Sequence, residues 1–416
     1  MSDLDAKSNP APVSPWEVFT RRDFSFLWAG NVTMTVSTLL FTLVSSQWLY
    51  DTTRSAAQLG LLGAVQLVQL PAALYGGMLA DRFDRKKLLA LTQLANAMLF
   101  VILTLLAADH HLQPWNIFVA SGIAGIFNML GTSASPGLLP RVMPRDLLTH
   151  AVTTLNVSTQ VATVIIPIVF WQIYVHLGVT AAFGITAGTC FFGAFLPLLI
   201  RVPGKPEVMA RQSTFKSLKQ GASFVSKHQL LPGLYLLDVG VTVVSFYRQL
   251  FPMFARQLFG LGAAGTGLLN TANALGGILG AFAVFFTARF GRKGLLSLIG
   301  TLTYAVFLIV FGFNRSFPVG LVIVGILGMT DTLSMTMRAT ILQLTTPDQL
   351  LGRVSSIGSF AAIGANNLGQ IEVGTLSAAI GAGPTMIIGG VLSVMFVLTV
   401  WRFLPGIRHY RYNNLR

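Results

Sequence analysis

Three carboxylic acids, Asp238, Asp331 and Glu372, stand inside long apolar runs of this 416-residue chain. An ionisable side chain at membrane depth costs about 3 kcal/mol or more, so each is a candidate for function. A carboxyl group left unpaired in a low-dielectric cavity holds its proton more tightly and exchanges it nearer neutrality, which proton coupling requires. Arg248 and Arg338 lie in the same segments as Asp238 and Asp331 and are possible partners. Asp331 and Arg338 share one helix face at about 10 Å axial separation, while Asp238 and Arg248 are about 15 Å apart along theirs, so neither same-helix pair is expected to touch. The alternative for each acid is a hydrogen bond to a neighbouring helix or a position at a span end that reaches water.

Neutral polar residues form a second set. Asn366, Asn367 and Gln370 share one side of a helix, whereas Glu372 points about 200° away from Gln370. Either the amides line a cavity while Glu372 packs against a neighbour, or the reverse. Asn31, with Thr33, Thr35, Ser37 and Thr38 around it, joins Gln66, Gln69, Asn156 and Gln160 as residues able to wet a central cavity or to pack helices. Other chemistry is poorly supplied. Cys190 is the only cysteine, which excludes an intrachain disulfide and a cysteine-based metal cluster. His110 and His111 beside Asp109 lack further nearby ligands, so no metal is expected, and no GxxxxGK[ST] phosphate cradle appears. No enzyme activity and no cofactor are expected.

The elements that must position these residues follow from composition. With 53% hydrophobic and only 10% charged residues, the chain is built for lipid. Apolar runs near 26–49, 57–80, 88–108, 115–135, 151–176, 178–200, 231–254, 262–287, 294–313, 317–341, 355–379 and 383–404 predict an all-α membrane protein of twelve transmembrane helices. A removable signal peptide is not expected, because the first 20 residues are polar. The net charge of +14 follows topology rather than nucleic acid. Basic residues collect between alternate spans, at the Arg82 to Lys87 cluster, Arg141, Arg145, the middle loop, Arg289, Arg292, Lys293 and Arg353, leaving Arg54, Arg256 and Arg315 on the far side. The positive-inside rule then predicts a multi-pass protein of the inner membrane with both termini cytoplasmic.

Two echoes divide the chain. Arg82-Phe83-Asp84-Arg85-Lys86-Lys87-Leu88-Leu89 returns as Arg289-Phe290-Gly291-Arg292-Lys293-Gly294-Leu295-Leu296, and Pro144-Arg145-Asp146-Leu147-Leu148 as Pro347-Asp348-Gln349-Leu350-Leu351. The organisation read from them is a cytoplasmic segment at 1–25, a six-helix half at 26–200, a middle loop at 201–230, a second six-helix half at 231–404 and a basic tail at 405–416. Phe215, Leu218, Phe224 and Val225 among Lys216, Lys219 and Lys227 give the middle loop two readings, a helix on the anionic inner leaflet or a solvated connector. Parallel repeats place a substrate site between the halves near the membrane midplane.

Gly77-Met78-Leu79-Ala80-Asp81-Arg82-Phe83-Asp84-Arg85-Lys86 resembles the signature between the second and third helices of the major facilitator superfamily, with Asp84 where a second glycine is usual. That departure is similar to the enterobactin exporter and macrolide efflux branch. The resemblance implies the major facilitator fold, two six-helix pseudo-repeats acting as a monomer, and a gate in which Gly77, Asp81, Arg82, Arg85 and Lys86 close the cytoplasmic side. In the second copy Ala288 replaces Asp81, and the fourth span, Trp115 through Asn128 to Ser135, lacks the basic residue that the family's proton antiporters carry there.

The function expected is export of a hydrophobic or amphiphilic small molecule, of drug or siderophore class, by proton antiport. Abundant Phe, Leu and Met with few polar groups favour such a substrate over a sugar. The alternatives are a lipid or lysolipid flippase of the same fold and a transporter-like receptor. The partners expected are the small molecule, protons and the lipid bilayer, without nucleic acid.

Overall fold

A computed structural model describes residues 15–80, 82–144, 146–204, 214–287 and 290–410. Helix is the regular structure throughout: α1 (Arg22–Thr53), α2 (Ala56–Gln66), α3 (Gln69–Ala80), α4 (Arg85–Ala108), α5 (Pro114–Ala134), α6 (Leu139–Val142), α7 (Leu148–His176), α8 (Gly178–Phe195), α9 (Thr214–Lys227), α10 (Leu231–Ser245), α11 (Phe251–Gln257), α12 (Ala263–Thr287), α13 (Lys293–Phe313), α14 (Phe317–Thr345), α15 (Asp348–Ile380), α16 (Ala382–Phe403) and α17 (Pro405–His409). Ten helical stretches among the described residues are long and apolar enough to cross a membrane. The other two expected spans are the shorter pair α2 and α3, and α15, whose 33 residues carry too many amides for a purely apolar crossing.

Two spans that the sequence suggests are continuous are broken, each by a proline. Pro252 has no N–H for the carbonyl of Arg248, and its ring would clash there. The chain leaves α10 at Ser245, passes Phe246 in extended geometry, makes a 3-10 turn over Arg248–Leu250 and restarts as α11. Pro71 does the same to the carbonyl of Leu67, and α2 stops at Gln66 before α3 starts at Gln69.

Close helix crossings use glycine. At Gly276 of α12 an added Cβ would fall 1.9 Å from the Gly325 carbonyl oxygen of α14. Between the two halves, a Cβ on Gly374 of α15 would fall 2.5 Å from the Gly60 Cα of α2, and one on Gly267 of α12 would fall 2.6 Å from the Pro167 oxygen of α7. These inter-half crossings lie toward the end of the bundle where α2 and α12 begin and α7 and α15 finish, hereafter the far end. The terminal end carries Pro15 and Tyr410.

In the middle loop α9 docks on the start of α15. Arg353 donates to the Gln220 side chain at 2.6 Å, Gly221 lies against the Arg353 carbonyl, and Phe224 and Val225 pack on the main core. The connector is therefore a helix seated on protein along one edge. Its residues 214–218 lie outside the described side chains.

Candidate functional site

The break after α10 creates the site. Ser245, at the end of α10, keeps a carbonyl that the interrupted helix leaves without its usual partner, and the Tyr304 hydroxyl of α13 donates to it at 3.0 Å. The Tyr247 hydroxyl accepts from Asn273 of α12 at 2.5 Å, which fixes the next residue of the break. Arg248 then turns its Nη2 onto Asp331 Oδ2 of α14. Because α10 and α14 run antiparallel, the earlier acid of α10 meets the later base of α14, and Arg338 Nη2 donates to Asp238 Oδ1 at 2.5 Å. Neither same-helix pair forms. The four charges are crossed as two ion pairs between α14 and the segment formed by α10 and the 3-10 turn after it, each partner neutralising the other at membrane depth.

Both pairs line a cavity of about 310 Å³ with Thr242, Ser245, Thr301, Thr330, Ser334 and Asn366. A second cavity, about 400 Å³, lies between the halves, bounded by α1, α7, the α10–α11 break, α12, α14 and α15. Phe246, Arg248, Thr332 and Asn366 belong to both walls. A third, about 250 Å³, reaches toward the terminal end past Leu231, Tyr235, Gln343 and Ser355, and shares Asp238 and Arg338 with the first.

Of the amides expected to wet a cavity, Asn366 and Gln160 do so. Asn367 and Gln370 instead are buried in the seam against α2, where Gln370 Nε2 donates to the Leu59 carbonyl at 3.0 Å. Glu372 is half-buried on the side of α15 away from that seam, and its Oε2 has no hydrogen-bond partner among the described residues. Asn31 is a packing residue: its Nδ2 donates to the Leu27 carbonyl at 2.9 Å and its Oδ1 accepts from Ser135 at 3.1 Å. Gln69 packs over Gly125 of α5, Gln66 ends α2 and Asn156 lies exposed on α7, none of them on the two central cavities.

The signature segment is anchored within its own half. Asp84 caps α4, accepting from the Lys86 N–H at 3.0 Å with φ −63, a conformation that needs no glycine and that accounts for the departure. Arg85 donates to the Gly137 carbonyl at 2.6 Å and Lys86 to the Ile200 carbonyl at 2.9 Å, while Arg82 is exposed. Gly77 lies in α3; Asp81, Ala288 and Arg289 fall outside the described residues.

Two groups of polar residues escaped the sequence reading. Thr266, Asn270 and Asn273 recur along one face of α12 at helical spacing and line the inter-half cavity, a stripe visible in the sequence. At the far end Asp51 accepts from Gln47 at 2.9 Å and from Tyr174 at 3.2 Å, with Arg54 at 3.7 Å and Arg256 at 3.9 Å. Only the local spacing of Gln47, Asp51 and Arg54 signalled this cluster, since Tyr174 and Arg256 arrive from distant segments.

The comparisons agree with this architecture. The profile of the Major Facilitator Superfamily matches residues 26–369. The Enterobactin exporter EntS of Shigella boydii serotype 4 (strain Sb227) is 28% identical over 393 residues, covering 93% of this chain and 92% of the relative. Its counterpart in Escherichia coli O139:H28 (strain E24377A / ETEC) has the same identity and coverage. Among solved structures, a POT family transporter in complex with 5-aminolevulinic acid superposes with TM-score 0.75 at 12% identity, covering 93% of this chain and 97% of that one. The nucleoside transporter NupG gives 0.73 at 13% identity, covering 92% and 99%. A twelve-span bundle in two halves, a central polar cavity between them and a family match over most of the length lead to one conclusion: the chain belongs to the major facilitator superfamily.

Proposed function

We propose that the chain is a secondary active exporter of amphiphilic small molecules, working by alternating access with protons moving the opposite way on Asp238, Asp331 or Glu372. The observation that carries this reading is the Arg248–Asp331 pair, which stands where a cavity inside one half meets the cavity between the halves. Arg248 stands on the shared wall and Asp331 on the inner cavity alone, so the pair joins the ligand cavity to the position of the halves, which coupling needs. Glu372, with an unpartnered buried oxygen, is the third proton candidate. Similarity to the enterobactin exporters supports a secreted, siderophore-like cargo. The five carboxamides of the central cavity disfavour lipid tails as its contents.

Basic side chains Arg82, Arg85, Lys86, Lys87, Arg292 and Lys293 gather at the terminal end, which supports a cytoplasmic location for both termini in an inner membrane. The glycine seams that close the far end support an inward-facing arrangement, and on this reading the chain works as a monomer. On this reading Gly77, Asp81 and Arg82 close the cytoplasmic side in the opposite state.

The test is efflux from proteoliposomes with an imposed pH gradient, using a panel of amphiphilic compounds and the variants Asp238→Asn, Asp331→Asn and Glu372→Gln. Gradient-driven efflux lost in one variant identifies the proton carrier. Movement of labelled lipid between leaflets, with no movement of any compound, rejects the exporter reading in favour of a flippase.

A further inference from the structure

The inter-half cavity has an unbalanced chemistry. Among its described lining residues Arg248 is the only charged side chain and Phe246 the only aromatic one. Around them stand the carboxamides of Gln160, Gln249, Asn270 and Asn273, with hydroxyls between. A site for a lipophilic cation is built from carboxylates and aromatic faces, and this wall offers no acid and one ring. A neutral polyol would use the amides but leave the guanidinium idle. Arg248 itself is not used up: Asp331 takes its Nη2 and the Tyr247 hydroxyl a further contact, but a guanidinium carries five donors, and 48% of the side chain remains open. Arg338, by contrast, is only 14% open and does not line this cavity.

From this we infer that the substrate is an anionic, oxygen-rich amphiphile, a carboxylate or phenolate on an apolar body, whose acid group takes the place of Asp331 on Arg248 while its other oxygens meet the amide ring. The inference rests on the exporter reading only in treating this cavity as the substrate site. The exchange is one anion for another on the same fork of donors, a geometry that guanidinium recognises bidentately. It also links ligand arrival to release of Asp331 for protonation.

The experiment measures equilibrium binding to the full chain in nanodiscs of three fluorophores with one body: N-dansylglycine, its neutral amide and the cationic dansylcholine. The carboxylate should bind about tenfold more tightly than either partner, the scale of one charge-assisted pair. The double variant Arg248→Gln/Asp331→Asn keeps the site neutral, so its fold is protected, and it should lose that preference. Asp331→Asn alone removes the competing anion and should tighten carboxylate binding about threefold or more, where a merely structural Asp331 would weaken all three probes. Equal affinities for the three probes, a preference that survives in the double variant, or weaker carboxylate binding in Asp331→Asn overturns the inference. Transport is not read in this assay, so a chain that binds anions selectively yet exports nothing rejects the exporter reading and leaves this one standing.

Discussion

Thr266 of α12 donates to Gln47 Oε1 of α1 at 2.6 Å, with both side chains buried, and so ties one half of the bundle to the other at the far end. Gln47 passes the tie on through its Nε2 to Asp51, which also meets Arg256 of α11. The buried hydrogen bond is the stronger element, since the Arg256 and Asp51 side chains are 48% and 28% exposed and 3.9 Å apart. We expect Thr266→Val to cost the closed far end about 1–2 kcal/mol by leaving Gln47 Oε1 without its donor. The check uses a reporter at Thr42→Cys on the inter-half cavity, where buried Cys190 gives little background. Labelling by an impermeant maleimide from the far side should speed up about five- to thirtyfold in Thr266→Val. An unchanged rate would show that the bond does not hold that end shut.

The glycine seam gives a prediction of the opposite kind. A side chain at Gly374 would enter the Gly60 backbone, and backbone cannot move aside as a flexible side chain can. Gly374→Val should therefore hold the far end open without unfolding either half, abolishing turnover and exposing the Thr42→Cys reporter. Gly276→Val, whose Cβ meets the Gly325 carbonyl within one half, should instead lower the melting temperature. Equal loss of stability in both variants would mean that the seam is ordinary packing.

The crossed ion pairs make a prediction about single and double substitutions. Asp238→Asn leaves Arg338 without its counter-ion, and breaking a fully buried pair costs about 3–5 kcal/mol. The loss here should be smaller, because Asp238 keeps 32% of its side chain exposed. Asp238→Asn/Arg338→Gln, which removes both charges, should melt closer to the parent than either single variant. A double variant that melts lower than both would show that the pair contributes more than charge balance.

Much of this was legible in the sequence, and the reason it was legible is lipid. Spans, repeat and fold follow from apolar runs and the placement of Lys and Arg, which the membrane makes obligatory. Asp238, Asp331, Arg248 and Arg338 were visible as charges out of place. Their pairing was not, because it depends on the antiparallel register of α10 and α14, to which no local spacing refers. The amide ring was legible only in part for a related reason: Gln160 and Asn366 were visible as polar residues in apolar spans, but Gln160, Gln249, Asn270 and Asn366 lie in four different segments and become a ring only when the bundle closes. The breaks at α2–α3 and α10–α11 lie next to Pro71 and Pro252, but Pro167 sits inside the unbroken α7, so a proline marks a weak point without saying whether the helix parts there.

His228 supplies a prediction in pH. It lies between α9 and α10 at the terminal end, and its Nδ1 accepts from the Leu230 and Leu231 N–H groups at 3.1 and 3.3 Å, capping the start of α10. Burial pushes the imidazole below its ordinary value of 6.5, because the charged form loses hydration. For a base held below its unfolded value, the unfolded chain binds the proton more readily. Stability is then full above pH 6.5 and declines as the pH falls below it, down to the lowered folded value. His228→Asn keeps a side-chain acceptor for the same N–H groups but does not titrate. Melting temperatures in detergent from pH 8 to pH 5 should drop more steeply for the parent than for His228→Asn, and the two should agree at pH 8. Parallel curves across that range would remove His228 from the pH response and assign it to the carboxylates of the bundle instead.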